Sequence, residues 1–426
     1  MRKIILSFLI FAGSLAFGFA QENHSESEQN EASHEQHASP EHHDEGHGCA
    51  CHEHHEEKFD PAATAFHHTG DANVFQIFGT LFMPLPCILY APDQGLSFFM
   101  SSKFGKLDAH GTGTKAVGRY VLVDGSVMRV PEVKFPIEEV EIECVNHNKA
   151  LVGTDSVDVY EVVYHGECYD LEKKSTLDGG ILGGGLTSFY DFSLTKNVLT
   201  MILTFIVLFW LFRQAVKGYA ARKGQAPKGV QSVLEPIFTF IRDEVAIPFL
   251  GNKYEKYLPF LMSIFFFILG LNLIGQIPVI GGNVTGNLAV TMVLALITFF
   301  ITNFSGNKHY WEHTLWMPGV PALLKVLILT PVEIMGLFIK PLTLMLRLFA
   351  NITGGHIVMV IFVGLIFIFG ESGKNLGGGI VGTLMAVPLT MFMMALELLV
   401  ALVQAFVFCI LSASYISAAI EEPHHH

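Results

Sequence analysis

Beyond residue 190 the chain is built from long apolar runs; before it, apolar and polar residues alternate over short stretches. Residues 197–212 are sixteen uncharged positions between Lys196 and Arg213. That is slightly short of the roughly 20 residues a helix needs to cross a hydrocarbon core, but both flanking side chains can snorkel to the interface. Residues 213–256 hold eight Lys or Arg, so the positive-inside tendency places them in the cytoplasm. Within them, 230–249 alternates apolar and charged positions and predicts an amphipathic helix along the cytoplasmic membrane surface. Residues 257–307 contain no Lys, Arg, His, Asp or Glu, and Pro278, Gly281, Gly282 and Asn283 divide them into two spans. After a polar loop at 308–325 come two apolar stretches, 326–370 and 378–420, each of more than 40 residues. A straight helix of that length runs about 60 Å, twice a hydrocarbon core, so both are predicted to be tilted or bent, with Pro331, Pro341 and Pro388 as bend sites. The pattern predicts an all-α polytopic membrane protein with about five membrane-embedded helices, the last two forming a long tilted hairpin.

The first part of the chain reads differently. Residues 1–20 have Arg2 and Lys3, an apolar core from Ile4 to Phe17, then Gly18-Phe19-Ala20, the order of a secretory signal peptide. Residues 21–60 lack apolar periodicity and are predicted to be disordered. Residues 61–190 predict a small, exported β-rich domain. Tyr120-Val-Leu-Val123, then Asp124-Gly125, then Val127-Met-Arg-Val130 reads as a hairpin with a glycine-containing turn. Strand-like alternation follows at 138–144 and 157–164, and 178–185 reads as a glycine-rich linker. The membrane domain then occupies 191–426. With an exported N-terminal domain, five passes put the C-terminus in the cytoplasm.

Composition sharpens this division. The 426 residues are 51% hydrophobic and carry a net charge of −13, and the mean hydropathy is +0.44. Residues 21–60 alone hold twelve acidic side chains, nine histidines and one lysine, a balance that argues against nucleic acid as a partner. The tract includes His47, Cys49, Cys51 and His52, ligand types for zinc or copper, and they are weak candidates for a metal site. Cys144 and Cys168 lie in the exported region, where an oxidising compartment permits them to pair.

Charge inside the apolar stretches is rare. Arg347 lies deep in 326–370, and Glu397 is the one charge in 378–420. An arginine cannot shed its proton there, and such a residue faces a protein partner or a water-filled path. In an antiparallel hairpin, residues at equal depth have position numbers with a constant sum. His356 with Glu397, and Arg347 with Gln404, both centre the hairpin near residue 376. Each pair is thus predicted to share a level, the first nearer the outside. Glu397 and Gln404, seven apart, share a helix face, as do Glu333, Lys340 and Arg347. Asn351 is one turn from Arg347, whereas His356 is about half a turn round. A carboxylate beside a histidine can pass protons near neutral pH. The alternatives are a buried ion pair that only fixes packing and, for Arg347, a lipid-headgroup anchor.

These residues carry a resemblance. Leu346-Arg-Leu-Phe-Ala-Asn351 within Pro341–Gly355, followed by Gln404-Ala-Phe-Val-Phe408, is similar to subunit a of the F-type ATP synthase; the likeness covers roughly 195–420. Asn272-Leu-Ile-Gly-Gln-Ile-Pro278 and Gly286-Asn-Leu-Ala-Val-Thr291 resemble its earlier helices. Some members carry Glu where His356 stands and His where Glu397 stands. The signal peptide and acidic, histidine-rich extension are not general features of that family. The resemblance implies a proton-translocating, non-catalytic stator subunit of the Fo sector in the cell inner membrane. Its implied partners are a ring of c subunits, the b-subunit peripheral stalk and the rest of the complex, with lipid and protons but no cofactor. Protons would enter by His356, Glu397 and Asn351 and leave by a second path for which Glu333 is a candidate. Arg347 would face the ring, with Gln404 nearby. The chain has no Gly-x-x-x-x-Gly-Lys-Ser/Thr loop for nucleotide phosphates. Two other readings compete: a sodium-coupled version of this subunit, and a transition-metal transporter, which would need more ligands in the spans than His356 and Glu397.

Overall fold

The computed structural model describes residues 51, 70–78, 81–108, 110–152, 155–175, 187–222, 224–277, 282–315, 323, 325–370 and 375–421. The expected signal peptide at 1–20, most of the histidine-rich tract with His47, Cys49 and His52, and the glycine-rich stretch 178–185 lie outside the described residues. The described residues fall into two compact units, one ending at Lys196 and the other beginning at Asn197.

The first unit is a set of antiparallel sheets. β1 (Val74–Phe78) pairs with β2 (Leu81–Pro84). β3 (Pro86–Ala91) lies between β4 (Gly95–Met100) and β12 (Tyr190–Asp191). β5 (Lys115–Ala116) pairs with β8 (Val140–Glu141), and β6 (Tyr120–Val123) with β7 (Ser126–Arg129). β10 (Asp155–Tyr164) is central between β9 (Cys144–Val152) and β11 (Glu167–Leu171). The β6–β7 turn is Asp124-Gly125 with φ of 49° and 77°, the left-handed pair of a type I′ turn. All four β6 residues are buried because the hairpin is covered on both sides. Tyr120 and Leu122 join one core with Cys87, Leu89 and Phe99. Val121 and Val123 join a second with Phe135, Val162 and Leu171. Arg129, 2% exposed, closes the hairpin through Asp93 and through the Ser188 carbonyl, to which Nη1 donates at 3.0 Å.

One expectation for this unit changes, and one question the sequence leaves open is answered. Alternation at 138–144 yields only the two-residue β8 and the first residue of β9, while the polar stretch Asn146-His-Asn-Lys149 forms part of the nine-residue β9. Low strand propensity there is overridden by full pairing with β10. Cys144 does not pair with Cys168. Val163 of β10 stands opposite both, so the two cysteines sit on opposite sides of the central strand. Two strand spacings are about 10 Å, beyond disulfide reach. Cys144 instead bonds Cys51, with the Cα atoms 5.9 Å apart, and Cys168 is itself disulfide-bonded.

The second unit is helical: α1 (Lys196–Ala221), α2 (Val230–Phe240), α3 (Ile247–Leu250), α4 (Tyr254–Gly275), α5 (Leu288–Ser305), α6 (Lys308–Leu315), α7 (Thr330–Phe369) and α8 (Leu376–Ile420). Among the described residues, five helical stretches are long and apolar enough to cross a membrane: Lys196–Ala221, Val230–Gly275, Leu288–Ser305, Leu327–Phe369 and Leu376–Ile420. The second is not one straight rod. Gly251, at φ +50°, breaks it between α3 and α4. α4 forms the middle of the core; from Leu261 to Leu269 every residue is buried. Small residues let α8 approach it: Ala405, Cys409 and Ala413 are fully buried in the same cluster. α7 and α8 run in opposite directions, with Gly370 beside Gly379, Gly382 against Leu365 and Ile366, and Gly355 against Glu397. The Asn375 side chain caps α8 by accepting from the Gly378 amide at 2.9 Å.

Candidate functional site

The centre of the helical unit is assembled from four helices and one loop. Asn272 of α4 is 3% exposed. Its Nδ2 donates to the Ala401 carbonyl of α8 at 3.2 Å, and its Oδ1 accepts from Thr285 Oγ1 at 2.8 Å. The amide of Gly282 donates to Thr200 Oγ1 of α1 at 3.2 Å, and that of Gly286 to Asn283 Oδ1 at 3.1 Å. Thr353 Oγ1 of α7 donates to the Gly286 carbonyl at 3.3 Å. The loop 282–286 is therefore held to α1, α4 and α7 at once. Buried backbone groups need such partners, which is why the polar residues at this break are threonine and asparagine.

A small cavity opens beside this network, lined by Asn272, Gln276, Asn283, Thr285, His356 and Glu397. His356 Nε2 lies 3.5 Å from Glu397 Oε1, and the Glu397 side chain is 2% exposed against 14% for His356. Neither Glu397 oxygen accepts a hydrogen bond among the described residues, and Gln276 Nε2 and Asn283 Nδ2 are buried donors in the same position. The cavity thus presents two donors, a carboxyl group and an imidazole to one another. Gly355 makes the approach possible: a Cβ there would stand 3.2 Å from Glu397 Oε1.

The other candidates lie elsewhere. Arg347 and Asn351 are exposed on α7, on a face that also presents Leu342 and Leu346. Neither makes a hydrogen bond or ion pair with a described residue. Gln404, predicted at the level of Arg347, is buried in α8 and shares no bond with it. It follows the phase of Glu397 into the core, whereas Arg347 is turned to the open face. Arg347 lies close enough to Tyr415 of α8 for its charge to act on the phenol. Lys340 Nζ sits 5.7 Å from the centre of the same ring. Glu333 stands in the same relation to Tyr310 of α6, whose hydroxyl donates to Asn303 Oδ1 at 3.4 Å. Cys51 is removed from the metal candidates because its sulfur is in a disulfide.

Asn272, Gln276, Asn283, Thr285 and Tyr415 were not among the residues predicted from sequence. A signal exists for two of them: Asn272 and Gln276 are amides one turn apart in a span without charge. Tyr415 has none, since a tyrosine near the end of an apolar helix is also an ordinary interfacial residue.

Comparison with known proteins places the site in a family. The model of the ATP synthase A chain family matches residues 198–417, and a domain of unknown function (DUF8433) matches residues 64–175. The chain is 41% identical over 242 residues to ATP synthase subunit a 2 of Chlorobaculum tepidum, covering 54% of this chain and 64% of that one. It is 39% identical over 246 residues to ATP synthase subunit a of Chloroherpeton thalassium, covering 55% and 69%. With ATP synthase subunit a of Myxococcus xanthus it shares 38% identity over 260 residues, covering 59% and 81%. The alignment thus spans about two thirds of the first relatives, and the family match takes in every helix that builds the cavity: the chain belongs to the ATP synthase A chain family.

Proposed function

We propose that this chain is the proton-translocating stator subunit of a rotary ATP synthase, working against a ring of c subunits and held by the b-subunit peripheral stalk. The observation that carries the reading is the pairing of His356 with the buried Glu397 on one polar cavity, set half a turn from an exposed arginine. Protons enter through the cavity. Its unpaired donors and acceptors are groups that water satisfies, and a hydrated cavity between titratable side chains conducts protons. The imidazole at Glu397 supports proton rather than sodium coupling. Each proton neutralises a ring carboxylate, which can then face lipid. Returning sites meet Arg347, whose fixed charge favours the ionised form and separates the entry path from an exit path near Glu333. The exposed apolar faces of α7 and α8 around Arg347 and Asn351 suit contact with helices of the ring. α7 and α8 are read as a tilted hairpin and α2 as an interfacial helix, since helices of 40 and 45 residues exceed the bilayer when upright. The Cys51–Cys144 disulfide supports an exported N-terminal domain, because disulfides persist in oxidising compartments. Five spans then leave the C-terminus in the cytoplasm.

The test is ATP-driven acidification of inverted vesicles carrying the whole complex, with passive proton leak measured alongside. In Arg347→Ala, pumping is expected to vanish while leak persists or rises. Unchanged pumping would overturn the assignment.

A further inference from the structure

The sheet β4–β3–β12 carries large apolar side chains on both faces. On one face Cys87, Leu89 and Ala91 are fully buried. The residues between them point the other way. Ile88 stands opposite Phe98, and Tyr90 opposite Leu96. Leu96 and Phe98 are each 69% exposed, and Met100 and Phe192 are 40% and 45% exposed. An antiparallel sheet with one buried face ordinarily shows polar side chains on the other. This face carries no charge, and a contiguous exposed apolar patch marks an interaction site.

The chain itself indicates what covers it. β12 continues along β3 past its last paired residue: the Phe192 amide donates to Ile88 at 2.8 Å and the Leu194 amide to Pro86 at 3.2 Å. The next element is α1, which starts at Lys196 and is apolar enough to cross a membrane. From Asp191 to Lys196 the backbone can extend no more than about 18 Å. The third strand of the apolar face therefore runs directly into a membrane helix. A bilayer is always within reach of that strand, because a short tether keeps it at high effective concentration. Aromatic rings such as Tyr90, Phe98 and Phe192 suit the boundary between headgroups and acyl chains.

We propose that this sheet face is a lipid-binding surface. The inference rests on the reading of α1 as a membrane span, and the test separates the two. In the full complex in native membranes, p-benzoylphenylalanine replaces Phe98 in one variant, Ile206 of α1 in a second and Val133 in a third. Ile206 and Val133 are 56% and 82% exposed, the latter within the β-rich unit and off this sheet. After irradiation, lipid adducts are expected at 98 and 206, severalfold above those at 133. Lipid adducts at 206 without them at 98 overturn the lipid surface while leaving the span intact. A polypeptide adduct at 98, to a second copy or another subunit, also overturns it. No lipid adduct at either position removes the span and the surface together.

Discussion

Gly355→Ala separates the stability of the helices from the chemistry of the cavity. Gly355 lies inside α7, so an alanine there gains up to about 1 kcal/mol of helix propensity. Its Cβ would meet Glu397 at 3.2 Å from Oε1, 3.5 Å from Cδ and 3.6 Å from Cγ. Ordinary contact begins near 3.5 Å, so the carboxyl group must move by a few tenths of an ångström. That movement costs the fold little, because the atom displaced is the tip of a flexible side chain. It costs the site more, because the contact with His356 is already 3.5 Å long. Proton transfer needs that contact to close into a hydrogen bond, and raising the cost of closing it by about 1 kcal/mol slows transfer roughly fivefold. Gly354→Ala is the matched control: it brings the same propensity gain, and its Cβ meets nothing within 4 Å. The assays are thermal unfolding of the purified complex and ATP-driven acidification of vesicles. Both variants are expected to match or exceed the parent in stability, with pumping lowered only in Gly355→Ala. Equal pumping in the two variants would refute the placement of Glu397 in the proton path.

Three further outcomes are expected. Asn272→Ala removes the bond to Ala401 and strips Thr285 of its acceptor; thermal unfolding should show a loss of about 1–3 kcal/mol, accompanied by slower pumping. Asp93→Asn should destabilise the β-rich unit by about 1 kcal/mol or more, because buried Arg129 loses its carboxylate. The same contact gives a pH signature. Burial works against the Asp93 carboxylate, but the hydrogen bond and charge of Arg129 outweigh it and hold the carboxyl below its usual range. Its contribution is fully present above about pH 3.9 and is lost as pH falls through the lower folded-state value, so the variant should show a flatter acid limb in unfolding scans. Finally, Cys51 and Cys144 should appear in one cross-linked peptide in a non-reducing digest of the membranes; two separate alkylated peptides would contradict the described bond.

Much of the helical unit was legible because its rules are local. Apolar length marks spans, and a constant position sum in a hairpin puts His356 beside Glu397 without any coordinates. Gln404 shows where that stops. Depth is a one-dimensional coordinate, and Arg347 and Gln404 can share it while pointing to different sides of the hairpin. The amides at Asn272, Gln276 and Asn283 escaped because their meaning depends on α4 and the loop after it reaching the same cavity, a non-local fact. In the β-rich unit the Asp124-Gly125 turn could be read directly, since both residues tolerate positive φ. β9 could not, because its polar run is made a strand by β10. The cysteine pairing stayed open for a related reason: spacing along the chain says nothing about which strand lies between two residues.

The close glycines between α7 and α8 bear on mechanical load. In the proposed rotary role, a turning ring drags on the hairpin once for every proton it carries. A slip of one residue along α8 is 1.5 Å, enough to part a contact that is already 3.5 Å long. Near Gly370, Gly379 and Gly382 the two helices meet backbone to backbone, with no long side chains between them to act as a soft layer. Resistance to sliding there comes from the stiff main chain rather than from rotamers that can yield. The loop end of the hairpin would then act as a fixed anchor, so that a displacement imposed near Arg347 falls towards zero along the hairpin and is already reduced at the histidine and carboxyl that must stay aligned.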